Sequence, residues 1–190
     1  MRAAYSRLAW GLALELIDIR IQHFDILPDV LGYLLIMIGL SGIQPQSKLF
    51  RVAWGTAGVQ LLISIPQLIG RLPSSLSLFP GESSGVNDMI VSNVGTLLDL
   101  VMMYGICIGI REKALSAEVC GDLAHMALRV WQAVFGFGAA MLILLPFALN
   151  AGLVTGMLFL FFGLGDFIAS LWVIALVRKT DRMFAVPDRL

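Results

Sequence analysis

The stretch IVSNVGTLLDLVMMYGICIGI, Ile90–Ile110, decides the kind of fold this chain adopts. It holds one charged residue, Asp99, and is followed at once by Arg111, Glu112 and Lys113. As a helix it rises about 30 Å, which is the thickness of a bilayer's hydrocarbon core. Ile90, Val91, Val94, Leu97, Leu98, Leu100, Val101, Ile106, Ile108 and Ile110 together favour insertion by roughly 3–6 kcal/mol, against about 2.5–3.5 kcal/mol for one central aspartate. The segment therefore reads as a membrane helix that carries an acid near its middle.

Five further apolar segments flank it: Leu8–Phe24, Leu27–Ile43 and Val52–Gly70 before, Val130–Leu149 and Gly152–Val177 after. With 58% hydrophobic and 14% charged residues and a mean hydropathy of +0.88, 190 residues cannot hide their apolar surface in one soluble core. The expected fold is all-α, a polytopic transmembrane helical bundle of six membrane segments that forms a single domain over residues 1–190. Arg2 and Arg7 precede the run Leu8–Leu14, but Glu15 and Asp18 interrupt it and no small-residue cleavage site follows. It reads as a retained first helix rather than an export signal.

Basic residues fix the expected orientation. With the amino terminus in the cytoplasm, Arg2, Arg7, Lys48, Arg51, Arg111, Lys113, Arg129, Arg178, Lys179, Arg182 and Arg189 fall inside, and only Arg20 and Arg71 fall outside. That asymmetry is the positive-inside pattern, so a multi-pass protein of the cell (inner or plasma) membrane with both ends cytoplasmic is expected. The first two segments, at 17 residues each, reach only about 25 Å. They make either a short crossing pair or a re-entrant hairpin on the cytoplasmic side; both preserve the charge pattern, and six crossings is the expectation.

Between the segments, Arg71–Met89 is an external connector rich in Ser, Pro and Gly. The charged residues after Ile110 suit a surface helix that continues the fourth segment. A faint repeat runs through the chain: Gly95-Thr-Leu-Leu-Asp99 and Gly163-Leu-Gly-Asp166 each place an aspartate twelve residues before an arginine, Arg111 and Arg178. Each acid then stands about 18 Å above the inner interface, and repeats of this kind often meet at a binding site.

Helical phase sets the direction in which the acids point. At 100° per residue, Ser92, Thr96 and Asp99 share one side of the fourth segment. Thr155, Phe159, Gly163, Asp166 and Ser170 share one side of the sixth, and Glu15, Asp18, Gln22 and Asp25 one arc of the first. Lipid cannot solvate such stripes, so they are expected to face the interior together with Gln60 and Gln67. The expected cation, proton or solute site is Asp99 and Asp166, with Glu15 and Asp18 as a second wall and Gln60, Thr96, Thr155 and Ser170 as polar support. Structural carboxyls that glue helices by hydrogen bonds are the competing reading.

The block Leu16-Ile-Asp-Ile-Arg20, Phe24-Asp-Ile-Leu-Pro-Asp29 and Gly32-Tyr-Leu-Leu-Ile36 resembles the opening of small, uncharacterised polytopic integral membrane proteins of Gram-positive bacteria. The resemblance covers about residues 10–42 and implies a membrane location but no activity. Physically, Pro28 suits a helix start and Asp29 complements the positive end of a helix.

Other residues carry packing expectations. Gly105 and Gly109, and Gly152 and Gly156, have the spacing that lets helices approach closely. Tyr33, Trp10, Trp54, Trp131 and Trp172 are expected to anchor or pack. Cys107 and Cys120 suit neither a disulfide nor zinc. No serine-nucleophile, metal-helix or phosphate-loop motif is present, and Asp99 with Asp166 lacks the flanking motif of an aspartyl catalyst. No catalytic role, metal or cofactor is expected, and the zero net charge gives no reason for a nucleic-acid partner. The expected partners are the lipid bilayer, a cation or small solute, and a membrane protein or second copy of the chain. The function expected is a cation- or proton-coupled small-solute transporter or channel-like protein; the alternative is a regulatory or assembly subunit whose acids are structural.

Overall fold

The computed structural model describes residues 2–16, 20–21, 24–25, 29–68, 86–117, 121–150 and 152–184. Six α-helices carry the fold: α1 (Arg2–Leu16), α2 (Asp29–Ser41), α3 (Lys48–Leu68), α4 (Val86–Ser116), α5 (Gly121–Leu144) and α6 (Leu153–Phe184). Three stretches, Ser92–Ser116, Gly121–Phe147 and Leu153–Phe184, are long and apolar enough to cross a membrane. The molecule is helical in class, as its hydropathy pattern requires.

The first segment departs from expectation. α1 stops at Leu16, and the chain then forms a two-residue antiparallel pairing of β1 (Arg20–Ile21) with β2 (Phe24–Asp25). Residues 17–19 lie outside the described residues, and Asp25 stands in β2 and not on α1. Glu15 and Asp25 therefore do not share one helical face. Asp18 and Gln22, two members of that stripe, lie outside the described residues, as does most of the connector at 69–85. The pairing sets the Arg20 backbone opposite that of Asp25.

Other boundaries follow local chemistry. The Ser47 hydroxyl accepts a hydrogen bond from the Leu49 amide at 3.0 Å and caps the start of α3. Asp29 opens α2 with an acid in its first turn, where the helix dipole favours negative charge. α4 runs on through Arg111, Glu112 and Lys113 to Ser116, the continuation that its charged tail suggests. α5 ends at Leu144 and gives way to 3-10 turns over Leu145–Asn150, because Pro146 cannot donate the next helical hydrogen bond.

Each helix packs on the next in the chain, and α6 returns to pack on α1, so the six close into a ring. Gly11, Gly32 and Gly39 let α1 and α2 touch backbone to backbone: a Cβ at Gly39 would lie 2.6 Å from the Leu8 nitrogen, and one at Gly11 2.7 Å from the Ile36 nitrogen. Gly105 faces Leu49 and Ala53 of α3, and Gly109 faces the Phe50 ring, so that pair does mediate close approach. Among the described residues nothing lies within 4 Å of a Cβ at Gly152 or Gly156; their spacing matches the motif, but it meets no described neighbour.

The ring is filled at one end and hollow toward the other. Tyr5, Leu8, Leu40, Ile43, Phe50, Ile106, Ile110, Leu123 and Leu176 are fully buried together in the half that carries most of the basic residues. At its rim the Lys113 ammonium donates to the Tyr5 hydroxyl at 3.1 Å and lies 5.0 Å from the Tyr5 ring and 4.2 Å from the Phe184 ring. The Tyr5 hydroxyl in turn donates to Gln46 Oε1 at 3.3 Å. This cation–π cluster ties α1, α4 and α6 together. The outer surface is apolar instead: Leu153 is 80% exposed and Leu62 68%, with Ile143, Phe147, Phe161 and Ile168 similarly bare. Such a continuous apolar exterior suits lipid, not water.

Candidate acid-lined cavity

Toward the hollow end the ring surrounds a partly open cavity of about 340 Å³. All six helices contribute to its wall: Glu15 from α1, Asp29 and Tyr33 from α2, Gln60, Ile63 and Ser64 from α3, Ser92, Thr96 and Asp99 from α4, Val134, Gly138 and Met141 from α5, and Gly163, Asp166 and Ser170 from α6. Among the described residues, no Lys or Arg lines it. Acid side chains from four helices thus meet in one space.

The helices bring these groups together by simple periodicity. Asp29 and Tyr33, Gln60 and Ser64, Ser92 and Thr96, and Asp166 and Ser170 are each four residues apart, so each pair stands on one helical face. The pairs on α4 and α6 and the Gln60 side chain are those the sequence periodicity selects. The Gln60 amide donates to the Gly95 carbonyl at 3.0 Å and also hydrogen-bonds Asp99. The Glu15 and Asp99 carboxyls come together across the interior, near enough to interact. Two carboxyl groups that close are most compatible when they share a proton, because an ionised pair offers acceptors alone. Asp166 stands within electrostatic range of both.

One atom of this group is left over. Asp99 Oδ1 is buried and has no hydrogen-bond partner among the described residues, although it sits beside polar neighbours. An unsatisfied buried carboxyl oxygen costs roughly 1–3 kcal/mol or more, a cost that a ligand in the cavity would remove.

The arrangement gathers Glu15, Asp99, Asp166, Gln60, Thr96 and Ser170 and leaves Thr155 out. Thr155 shares the helical face of Asp166 but lies eleven residues away, about 16 Å along α6, and does not reach the cavity. Tyr33 differs in the other direction: expected to anchor or pack and not singled out for the site, it is buried at 8% exposure and forms part of the wall. Its place follows from that of Asp29, one turn earlier on the same face. Ser64 was equally legible as the i+4 neighbour of Gln60, but a serine in an apolar helix carries too weak a signal to single it out. Trp10, Trp54 and Trp172 are exposed, and Trp131 packs edge-on against Tyr104 with centroids 5.1 Å apart. Cys107 is buried and free.

No protein-family model, curated protein or solved structure matches this chain. The class that the fold and cavity define is a helical protein with three helices long and apolar enough to cross a membrane and an acid-lined interior.

Proposed function

We propose that this chain is a polytopic membrane protein that handles a cation, or a small solute coupled to protons, at the interior formed by Glu15, Asp99 and Asp166. The observation that carries the reading is the meeting of carboxyl groups from four helices in one cavity that no described basic residue lines. In low dielectric such acids persist only with a partner, a proton or water, and the proton between Glu15 and Asp99 is one an arriving cation can displace. Six crossings, with a short first pair and both ends in the cytoplasm, accord with the closed ring and with the crowding of basic residues at its filled end.

The closeness of Glu15 and Asp99 also favours a second reading, in which the acids fasten α1 to α4 in a regulatory or assembly subunit. Reconstitution separates the two. Asn keeps the size and hydrogen-bonding capacity of Asp but cannot titrate, so Asp99→Asn and Asp166→Asn should remain monodisperse in detergent yet lose pH-dependent cation or solute flux in proteoliposomes. Absence of flux in the wild type across a panel of cations and pH values would remove the transport reading and leave the subunit.

A further inference from the structure

The two sides of the cavity differ in chemistry, and the ring order makes that difference directional. Glu15, Asp29 and Tyr33 come from the α1–α2 hairpin. α5 stands three places round the ring from α2 and contributes Val134, Gly138 and Met141, with no hydrogen-bonding side chain. Leu100, Met103 and Phe167 extend that apolar side. A bare inorganic ion would gain nothing from such a wall. Nor do the acids gather as metal ligands do: among the described residues no three His, Cys, Asp or Glu side chains are placed to hold one metal ion. A volume of about 340 Å³ is at the lower end of small-molecule pockets, which pair apolar walls with a few directed polar groups.

We infer that the cavity takes a small primary organic ammonium, with its charged head at the unpartnered Asp99 Oδ1 between Glu15 and Asp166 and its apolar body against Val134, Met141 and Phe167. This deepens the proposed function and rests on it. An R–NH₃⁺ group offers three donors, which matches the free oxygen of Asp99 and the neighbouring carboxyls. As it enters, the proton held between Glu15 and Asp99 leaves, so one positive charge replaces another and the charge of the cavity does not change. The exchange makes and breaks no covalent bond other than that to the proton.

The test measures binding to the purified full chain in detergent by isothermal titration calorimetry, with methylammonium, ethylammonium, propylammonium and butylammonium chloride, and with sodium, potassium and calcium chloride. Each added methylene should tighten binding about fourfold, the equivalent of roughly 0.8 kcal/mol of apolar burial. Each binding event should release a proton, seen as a dependence of the heat on the ionisation enthalpy of the buffer. Met141→Gln should flatten the chain-length series, whereas Asp99→Asn should weaken every member about equally. Asp166→Asn replaces Asp99→Asn should the latter elute as aggregate. Binding of sodium, potassium or calcium with no ammonium binding, or ammonium binding independent of chain length, overturns the inference and leaves the cation reading standing. Binding of no cation at all, joined with absent flux, overturns both.

Discussion

Gly39 stands where a methyl group would meet backbone. A Cβ there would lie 2.6 Å from the Leu8 nitrogen and 2.9 Å from the Ala4 carbonyl oxygen, and neither atom can move without displacing α1. Gly39→Ala should therefore destabilise the protein by about 1–3 kcal/mol, the usual cost of overpacking, and lower its Tm in detergent. Gly156 has open space around it, so Gly156→Ala should leave Tm unchanged or raise it, since Ala is favoured over Gly in a helix by about 1 kcal/mol. At this scale the sequence was informative only in part. Gly105 with Gly109 and Gly152 with Gly156 share the same spacing, yet among the described residues only the first pair faces a neighbour, because spacing encodes a small-residue face and not what lies across from it. The tighter contacts at Gly11 and Gly39 carried no such spacing within one helix. They become visible only when α1 and α2 are laid side by side.

Among the elements, α1 and α2 decide how many times the chain crosses. As helices they span about 22 Å and 20 Å, short of a bilayer core of about 30 Å, and the pairing of Arg20–Ile21 with Phe24–Asp25 lies between them. With Cys107 and Cys120 replaced by Ala, a single cysteine introduced as Phe24→Cys should react with an impermeant maleimide added to intact cells, as should Gly152→Cys. Ser116→Cys should react only after the cells are opened. Protection of Phe24→Cys, with Gly152→Cys still reactive, would mean that the first pair turns back inside the membrane. Element positions were largely legible because long apolar runs leave few choices, and the misjudged end of α5 has a local cause in Pro146. The candidate site was legible wherever a polar stripe crossed an apolar helix, as on α4 and α6. It was not legible at Tyr33, whose chemistry suits an interface equally well, nor at Thr155, where phase is right and depth is wrong.

For the whole molecule, the decisive arrangement is a ring with a dense half and a hollow half. The acids Glu15, Asp99 and Asp166 come from helices far apart in the chain, so the cavity exists only when all six elements are in place. The closing contact of that ring is α6 against α1, where the Tyr5 and Phe184 rings share the single ammonium of Lys113. The first and last helices are thereby neighbours, and the backbone becomes, in effect, a loop cut at one arbitrary point. Moving that cut should be tolerated, as it is in many domains whose ends adjoin. A circular permutant that joins residue 184 to residue 2 through a flexible glycine-serine linker and begins at Lys48 should insert, elute as a single species and bind the same cations as the parent. Failure of that permutant, with the linker shown long enough, would mean that the order in which the helices emerge during synthesis, and not their final adjacency, is what assembles the interior.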